Sequence, residues 1–556
     1  MPEATIFPNA HDFHIDTINH YGGTLGRPPL DRLLERVSHG AIHDSAERGR
    51  DAPKCHPETR VAVQQEIVSW IKHGDRDAHP ARILWLSGPA GSGKTAIAGT
   101  VAEECHREGL LAASFFFSGF SQSLDRRLRG YFVATLAYQL LQHRSLSLMR
   151  DVIVSVIEGD PAILHKNLDE QIEQLILRPL RMAAGRASRG RWPTVILVDG
   201  LDECDVHPDQ RFETKQDRQS AKEDVHREIL TALIRATSDP SFHFRIVIAS
   251  RPEPAIHSII SSTQMVRNVF LDDKYTPEKD IETFVRAMLT KVGRDYGLRP
   301  NWFAQHIPRT LAKRSSGQFI YATTALRFIQ DRTRPPHEQL KRVLEWTQFD
   351  ASEGNPFAAL DALYARILKT SPNPSLAAKW ISATNGRSDA TIVAIFPDQF
   401  KKALLESFPG ETRYLLGSLT SLICTNSNEG QIFSLYHQTL VDFLGDRGRS
   451  GDLHVSKADV VKFNKDRCHS ILKNRGPAEG TISRPGDLDD FIHLFCKDMA
   501  LFIDPSRELH YDSGDVDWWW ANIFPGHREA RVLDVFIKVH RKVSCVQSEI
   551  SPPARP

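Results

Sequence analysis

Residues 82–99 read RILWLSGPAGSGKTAIAG, in which an apolar run leads into a glycine-rich turn and then into a helical pattern. The turn fits the pattern G-x-x-x-x-G-K-[ST], because Gly88, Gly93, Lys94 and Thr95 occupy its fixed positions. Glycines let the backbone wrap so that several N–H groups point inward, and the following helix contributes the positive end of its dipole. A loop of this kind holds phosphates, so the stretch predicts a nucleotide site.

The loop also predicts a role for each side chain that ends it. Lys94 is expected to reach the β- and γ-phosphates, and the Thr95 hydroxyl is expected to bind Mg²⁺. We therefore expect a nucleotide and Mg²⁺ as cofactors, held by eight consecutive residues: Gly88, Pro89, Ala90, Gly91, Ser92, Gly93, Lys94 and Thr95.

An acid at the end of a second apolar strand supplies the other half of such a site. In VILVDGLDEC (195–204), Asp199 follows four apolar residues and is predicted to hold Mg²⁺ through water. Either Asp202 or Glu203 is predicted to orient the attacking water in catalysis, because both lie at the carboxyl end of the strand. FRIVIASRPEP (244–254) places Arg251 at the same sheet edge, to sense the γ-phosphate or to pair with the acids.

Short all-apolar strands that alternate with helices predict a parallel sheet covered on both faces. Four strands are recognisable, around ILWLS, AASFFFS, VILVD and FRIVIAS, and strands nearly vanish beyond about residue 275. Near 412–446, helices flank LICT, the turn NSNEG and QIFSLYH, which suggests a winged-helix module. The predicted fold class is an α/β P-loop NTPase domain followed by helical and winged-helix-like domains.

Composition narrows the classes of protein further. Lys+Arg 70 against Asp+Glu 69 leaves a formal charge of +1, which does not favour nucleic-acid binding. The seven cysteines include no C-x-x-C pair, and their odd number argues against a full disulfide framework. The N-terminus lacks a signal-peptide pattern, and no apolar run approaches the roughly 20 residues of a membrane span. We therefore expect a cytoplasmic protein without a membrane span.

Together, the P-loop, DGLDE and a strand that ends in SRP resemble the NACHT class of STAND NTPases. The resemblance is closest to fungal, mushroom-type NLR-like proteins with a nephrocystin-3-like N-terminal NACHT module. It covers about residues 40–450 and includes GAIHDSAERGRDAPKCHPETR, FFFSG, SGQFIYATTALRFI and YHQTLVDFLGDRGRSGDLHV. At the helical-domain landmark, Gly317 is followed by Gln318 and Phe319, where related switches have G-x-P.

The resemblance implies roles for two further residues. Arg60, in PETR, corresponds to an arginine near the adenine side of the nucleotide. His437 is similar to the winged-helix histidine that touches the β-phosphate of ADP in the closed state. The resemblance also implies a signalling protein that is ADP-bound at rest, exchanges ADP for ATP, self-associates when active and hydrolyses ATP slowly. It further implies C-terminal repeats that sense a trigger; this chain has no internal period, so we expect a trigger sensed through a partner or a part lost from the sequence.

The predicted organisation has five units. They are a poorly packed leader (1–58), the NACHT nucleotide-binding domain (59–270), a helical domain (271–385), a winged-helix-like domain (386–456) and a helical tail (457–556). Two other functions stay open at this point. One is a P-loop kinase or transferase that acts on a small acceptor, and the other is a nucleotide-binding scaffold without turnover.

Overall fold

The structure is a computed structural model. It describes residues 28–48, 52–77, 80–119, 123–184, 192–207, 210, 212, 214–263, 265–332, 334–346, 357–385, 398–424, 432–482 and 485–498. The first half of the predicted leader and the end of the predicted tail, with its WWW at 518–520, lie outside these residues.

A five-stranded parallel sheet forms the centre of the N-terminal part. Its strands are β1 (Ile83–Ser87), β2 (Leu111–Phe116), β3 (Val195–Asp199), β4 (Arg245–Ser250) and β5 (Val266–Phe270). They lie side by side in the order β2-β3-β4-β1-β5. Because all five run in the same direction, the ends of β1, β3 and β4 meet at one edge of the sheet.

Both faces of this sheet are covered, as the apolar strands predicted. Alternate residues of β1 point to opposite sides, so Trp85 lies in one hydrophobic core and Leu86 in the other. The helices on the two faces are α2 (Val61–His73), α3 (Lys94–Arg107), α4 (Phe132–Gln142), α5 (Met149–Gly159), α6 (Leu168–Ile172), α7 (Arg178–Ala184), α8 (Lys215–Thr237) and α9 (Pro254–Ser261). The predicted α/β P-loop NTPase fold is confirmed.

The apolar pattern of the sequence did not predict the fifth strand. Strand β5 pairs only with β1 and forms an edge of the sheet. An edge strand keeps one side in contact with solvent, so VRNVF carries Arg267 and Asn268 where a central strand would carry apolar residues. A search for continuous apolar runs passes over such a strand.

The described part of the leader is well packed, which corrects the expectation of a poorly packed segment. Helix α1 (Pro29–Leu34) and the residues after it bury Leu33, Val37 and Ala41 in the core on one face of the sheet. The backbone N–H of Ser38 donates to the Thr135 hydroxyl on α4 at 2.9 Å. Apart from LDRLLERV (30–37), which could form a short helix, the segment has no sustained periodicity, but three apolar residues spaced four apart are enough to anchor it.

The C-terminal part is helical. Its helices are α10 (Pro277–Asp295), α11 (Ile307–Arg314), α12 (Phe319–Ile329), α13 (Pro336–Trp346), α14 (Ala358–Leu368), α15 (Pro374–Asn385), α16 (Asp398–Leu405), α17 (Glu411–Leu416), α18 (Thr439–Gly445), α19 (Arg447–Ser450), α20 (Lys457–Lys473) and α21 (Pro485–Asp498). A short antiparallel hairpin, β6 (Ile423–Cys424) with β7 (Ser434–Leu435), precedes α18.

The two parts have separate hydrophobic cores. Tyr275 still belongs to a core of the sheet, whereas Ile281 belongs to a core that continues to Phe495. This C-terminal core runs through the predicted helical domain, the winged-helix-like domain and the start of the tail, so the boundaries at 385/386 and 456/457 stay predictions. None of the described helices combines the length and the apolarity that crossing a membrane requires.

Candidate nucleotide-binding site

The glycine-rich loop connects β1 to α3, and its conformation depends on glycine. Gly91 has φ 76° and Gly93 has φ 94°, in the left-handed region that other residues rarely adopt. A Cβ at Gly91 would lie 2.3 Å from Cγ2 of Ile320, at the start of α12. Glycine is therefore required here for the turn and for the close approach of the C-terminal part.

Polar groups of the loop fit a phosphate ligand. The Lys94 ammonium donates to the carbonyl oxygens of Gly88 and Pro89, at 2.8 Å each, and so lies folded over the loop. Burial lowers the pKa of Lys94 to about 8. The Ser92 hydroxyl is buried and has no hydrogen-bond partner within the described residues. A desolvated ammonium beside an unpaired donor favours an anionic ligand.

The predicted magnesium ligands lie together at the start of α3 and the end of β3. The Thr95 hydroxyl lies close enough to the Asp199 carboxylate, which is 2% exposed, to lower the pKa of that acid. Burial and the nearby Glu203 raise the pKa of Asp199 to about 7, against the opposing effects of Thr95 and Arg48. In the described part of the chain, no three His, Cys, Asp or Glu side chains form a metal cluster. One hydroxyl and one carboxylate fit Mg²⁺, which takes its other ligands from phosphates and water.

The two candidate catalytic acids, on the turn after β3, face different neighbours. Asp202 is buried and accepts a hydrogen bond from the backbone N–H of Arg251 at 3.0 Å. Burial raises the pKa of Asp202, but the charges of Arg251 and Lys94 outweigh this effect and hold the pKa below its usual range. Glu203 accepts a hydrogen bond from the backbone N–H of Gly119, beyond β2, at 2.8 Å.

Arg251 follows β4 and lies between two carboxylates. Its Nε is 3.4 Å from Asp202, and its Nη1 is 3.2 Å from Asp442 on α18. Burial lowers the pKa of Arg251, but the two carboxylates outweigh this effect and raise it. The arginine thus pairs with the acidic cluster, which was one of its two predicted roles, and it also bridges to the C-terminal part.

Arg60 contacts the phosphate loop from the side of α2. Its Nη2 donates to the carbonyl of Ser92 at 2.9 Å, and its guanidinium lies 5.1 Å from the ring centre of Phe319. Asp280 on α10 accepts the backbone N–H of Arg60 at 3.1 Å. Among the described residues, nothing accepts the hydrogens of its buried Nε and Nη1. These donors suit a ligand next to the loop, and the role towards adenine stays a prediction.

His437 lies between β7 and α18 and faces the cations of the site. Burial, with the charges of Arg251 and Lys94, lowers its pKa to about 4 despite Asp442, so the imidazole is neutral at pH 7. Its Nδ1 accepts the backbone N–H of Thr439 at 3.1 Å. The ring proton must then be on Nε2, which makes Nε2 a donor suited to a phosphate oxygen.

Sequence reasoning missed four residues that the fold brings to this site. Ile320 donates its backbone N–H to the carbonyl of Gly91 at 3.4 Å, and Asp442 pairs with Arg251. Arg48, from the leader, and Arg126, beyond β2, act electrostatically on Asp199. None of the four belongs to a motif with fixed spacing, although Asp442 lies in the quoted YHQTLVDFL and Arg48 lies in DSAERGR.

About a third of the chain matches a known protein family. Residues 60–251 match the family model described as Nephrocystin 3, N-terminal. The match begins at Arg60 and ends at Arg251, so it includes the phosphate loop and the acids but not His437. No curated protein matches the chain.

Several solved structures show a low similarity to this chain. The Drosophila ORC bound to DNA has 14% identity and a TM-score of 0.30, covering 71% of this chain and 96% of that one. The Aeropyrum pernix ORC2 protein has 14% identity and a TM-score of 0.32, covering 72% of this chain and 97% of that one. C. elegans PCH-2 has 12% identity and a TM-score of 0.29, covering 52% of this chain and 71% of that one. At this level of similarity, neither activity nor partners carry over to this chain.

Proposed function

We propose that this protein is an ATP/ADP-binding switch of the NACHT class of STAND NTPases, similar to fungal NLR-like proteins, and that it hydrolyses ATP slowly. The observation that carries the proposal is the ion pair between Arg251 and Asp442 at 3.2 Å, which joins the edge of the nucleotide site to the C-terminal part. The match of residues 60–251 to the nephrocystin-3 family supports the class.

The C-terminal part holds the nucleotide site at two separate points. One is the phosphate loop, where the backbone N–H of Ile320 donates to Gly91. The other is the acidic turn, where Asp202, Arg251 and Asp442 form a continuous chain of charges. A nucleotide shifts such a closed arrangement only if it binds the closed and open states unequally. A terminal phosphate close to Asp202 brings negative charge towards Asp442, so ATP weakens this contact more than ADP does.

Exchange of ADP for ATP would then release the C-terminal part and expose a surface for self-association. Slow hydrolysis would restore the ADP state. In this proposal the protein acts in the cytoplasm, and a trigger ligand or partner protein promotes the exchange. Purification followed by identification of the bound nucleotide is the first test: ADP is expected, and a protein that carries no nucleotide and binds none when offered would refute the switch.

Asp442→Asn is expected to open the protein. The change keeps the size of the side chain but removes the charge that pairs with Arg251, and a partly buried pair of this kind contributes about 1–3 kcal/mol. We expect release of ADP to be about 5- to 150-fold faster, with more self-association at equal concentration. Stopped-flow release of a fluorescent ADP analogue and light scattering measure the two effects.

Asp452→Asn is the matched control for this change. Asp452 also lies in the C-terminal part and forms an ion pair with Lys369 at 2.9 Å, but its side chain is 70% exposed and lies away from Arg251. Its substitution should leave ADP release unchanged. If both variants release ADP like the wild type, the pair does not hold the closed state.

His437→Ala is expected to weaken ADP binding more than ATP binding. In this proposal, the Nε2 proton of the neutral ring reaches the β-phosphate of ADP only while the C-terminal part is closed. Loss of one hydrogen bond to a charged group costs about 1.5–3 kcal/mol, or roughly a 10- to 150-fold loss of ADP affinity. Isothermal titration with ADP and with a non-hydrolysable ATP analogue measures the difference. Equal affinities in the variant and wild type would return His437 to a structural role at the start of α18.

A further inference from the structure

Two arginines outside the predicted site approach its acids from the β2 side. Arg48 ends the short helical turn at Ala46–Arg48, and its guanidinium lies 3.5 Å from the ring centre of Phe116, at the end of β2. Its Nη1 donates to the carbonyl of His43 at 3.1 Å, which fixes its direction. Arg126 lies on the turn after β2 and feels the charges of Glu203 and Asp199.

The leader forms a cradle for the stem of Arg126. A Cβ added to Gly40 would lie 2.9 Å from Cδ of Arg126 and 2.5 Å from a carboxylate oxygen of Glu47, so the backbone at Gly40 is in close contact with both side chains. The Nε of Arg126 is buried, and no described residue accepts its hydrogen. The stem is thus fixed, while a donor of the head group is left for another partner.

Both arginines are held in a state that favours an added anion. Burial lowers the pKa of Arg126, against the attraction of the carboxylates of Asp125, Glu203, Glu47 and Asp199. Burial together with the charge of Arg126 lowers the pKa of Arg48 to about 10, against the attraction of Asp199. Two desolvated guanidinium groups that repel each other are stabilised when negative charge is placed between them. Arg251 differs, since two carboxylates within 3.4 Å already neutralise it.

The position of Arg48 and Arg126 indicates which phosphate of a nucleotide they would contact. The loop of residues 88–95 takes the inner phosphates, whereas a residue that orients the attacking water must lie at the outer end of a triphosphate. Glu203 is a candidate for that role, and Arg126 lies near it: the backbone N–H of Ser118 donates to the carbonyl of Arg126 at 3.1 Å, and the N–H of the next residue, Gly119, donates to Glu203 at 2.8 Å. ADP has no phosphate at this end of the site.

The geometry points to Arg126, supported by Arg48, as an anion subsite that binds the terminal phosphate of a nucleoside triphosphate and so distinguishes ATP from ADP. The inference rests on the proposed nucleotide site. If Arg126 binds the terminal phosphate, the leader segment helps to distinguish ATP from ADP, because Gly40 and Glu47 lie against Arg126.

Equilibrium binding tests the subsite without any dependence on turnover. Isothermal titration in Mg²⁺ compares ADP with a non-hydrolysable ATP analogue on the full chain. Arg126→Gln is expected to raise the Kd of the ATP analogue at least about 10-fold, as for the loss of one hydrogen bond to a charged group, and to change that of ADP by less than about 2-fold. Arg126→Lys keeps the charge and should lose less affinity for the analogue.

Arg129→Gln is the control, because Arg129 lies three residues away and pairs with Glu228 at 3.1 Å on the surface. An equal loss for both nucleotides, or no loss in either Arg126 variant, would overturn the inference. If Arg126→Gln does not fold, Arg126→Lys decides the question alone, since any selective loss for the ATP analogue still supports the subsite. A wild-type protein that binds neither nucleotide refutes the nucleotide site itself, which is a separate outcome.

Discussion

Lys94→Ala is expected to abolish measurable binding of both ATP and ADP. Lys94 is the cation that ends the phosphate loop, and in the structure its ammonium spans the carbonyls of Gly88 and Pro89. Each hydrogen bond from an ammonium to a phosphate contributes about 1.5–3 kcal/mol, so losing contacts to two phosphates raises the Kd at least about 100-fold. Isothermal titration in Mg²⁺ measures this change.

Lys341→Ala is the control for the loss of a lysine, because Lys341 is 77% exposed on α13 and pairs only weakly with Glu345. Thermal unfolding without nucleotide should show that both variants are folded. Nucleotide affinity that survives Lys94→Ala would refute the phosphate loop, and with it the proposed switch.

Glu203→Gln is expected to leave nucleotide binding intact and to slow ATP hydrolysis by about 10²- to 10⁴-fold, the usual contribution of a general base. An amide oxygen can still accept the hydrogen bond that Glu203 receives from the backbone N–H of Gly119 at 2.8 Å. The turn after β3 therefore keeps its conformation while it loses the base. Release of phosphate under single-turnover conditions measures the rate. Glu228→Gln is the control, because Glu228 lies on α8, is half-buried and pairs with Arg129.

Asp202→Asn separates the roles of the two acids. The Asp202 carboxylate contacts both the backbone N–H and the guanidinium of Arg251. Because Arg251 in turn pairs with Asp442, the structure favours a role for Asp202 in the contact with the C-terminal part. We expect this variant to release ADP faster, with a smaller effect on hydrolysis. A loss of hydrolysis in Asp202→Asn but not in Glu203→Gln would reverse the assignment, and normal hydrolysis in both would place the base elsewhere.

The sheet could be predicted in most of its parts because its central strands carry a local signal. Strands β1 and β3 are buried on both faces, and only continuous apolar runs satisfy that position. Strand β5 was not predicted, because its edge position allows Arg267 and Asn268 in place of apolar residues. The packing of residues 28–48 was not predicted either, because the apolar pattern of residues 30–37 does not continue along the segment. The organisation of the helical C-terminal part stays a prediction at its inner boundaries, since one core runs through it.

Some residues of the candidate site could likewise be predicted from the sequence, and others could not. The amino-acid sequence by itself determined the phosphate loop and the acidic turn, because their conformations depend on neighbouring residues: glycines that allow φ of 76° and 94°, a Lys-Thr pair at a helix start, and acids directly after a buried strand. Only the tertiary structure decided that Asp442 pairs with Arg251 and that Arg48 and Arg126 come near enough to Asp199 for their charges to interact. Those contacts join residues from distant parts of the chain, and charge attraction across a folded interior leaves no fixed spacing in the sequence.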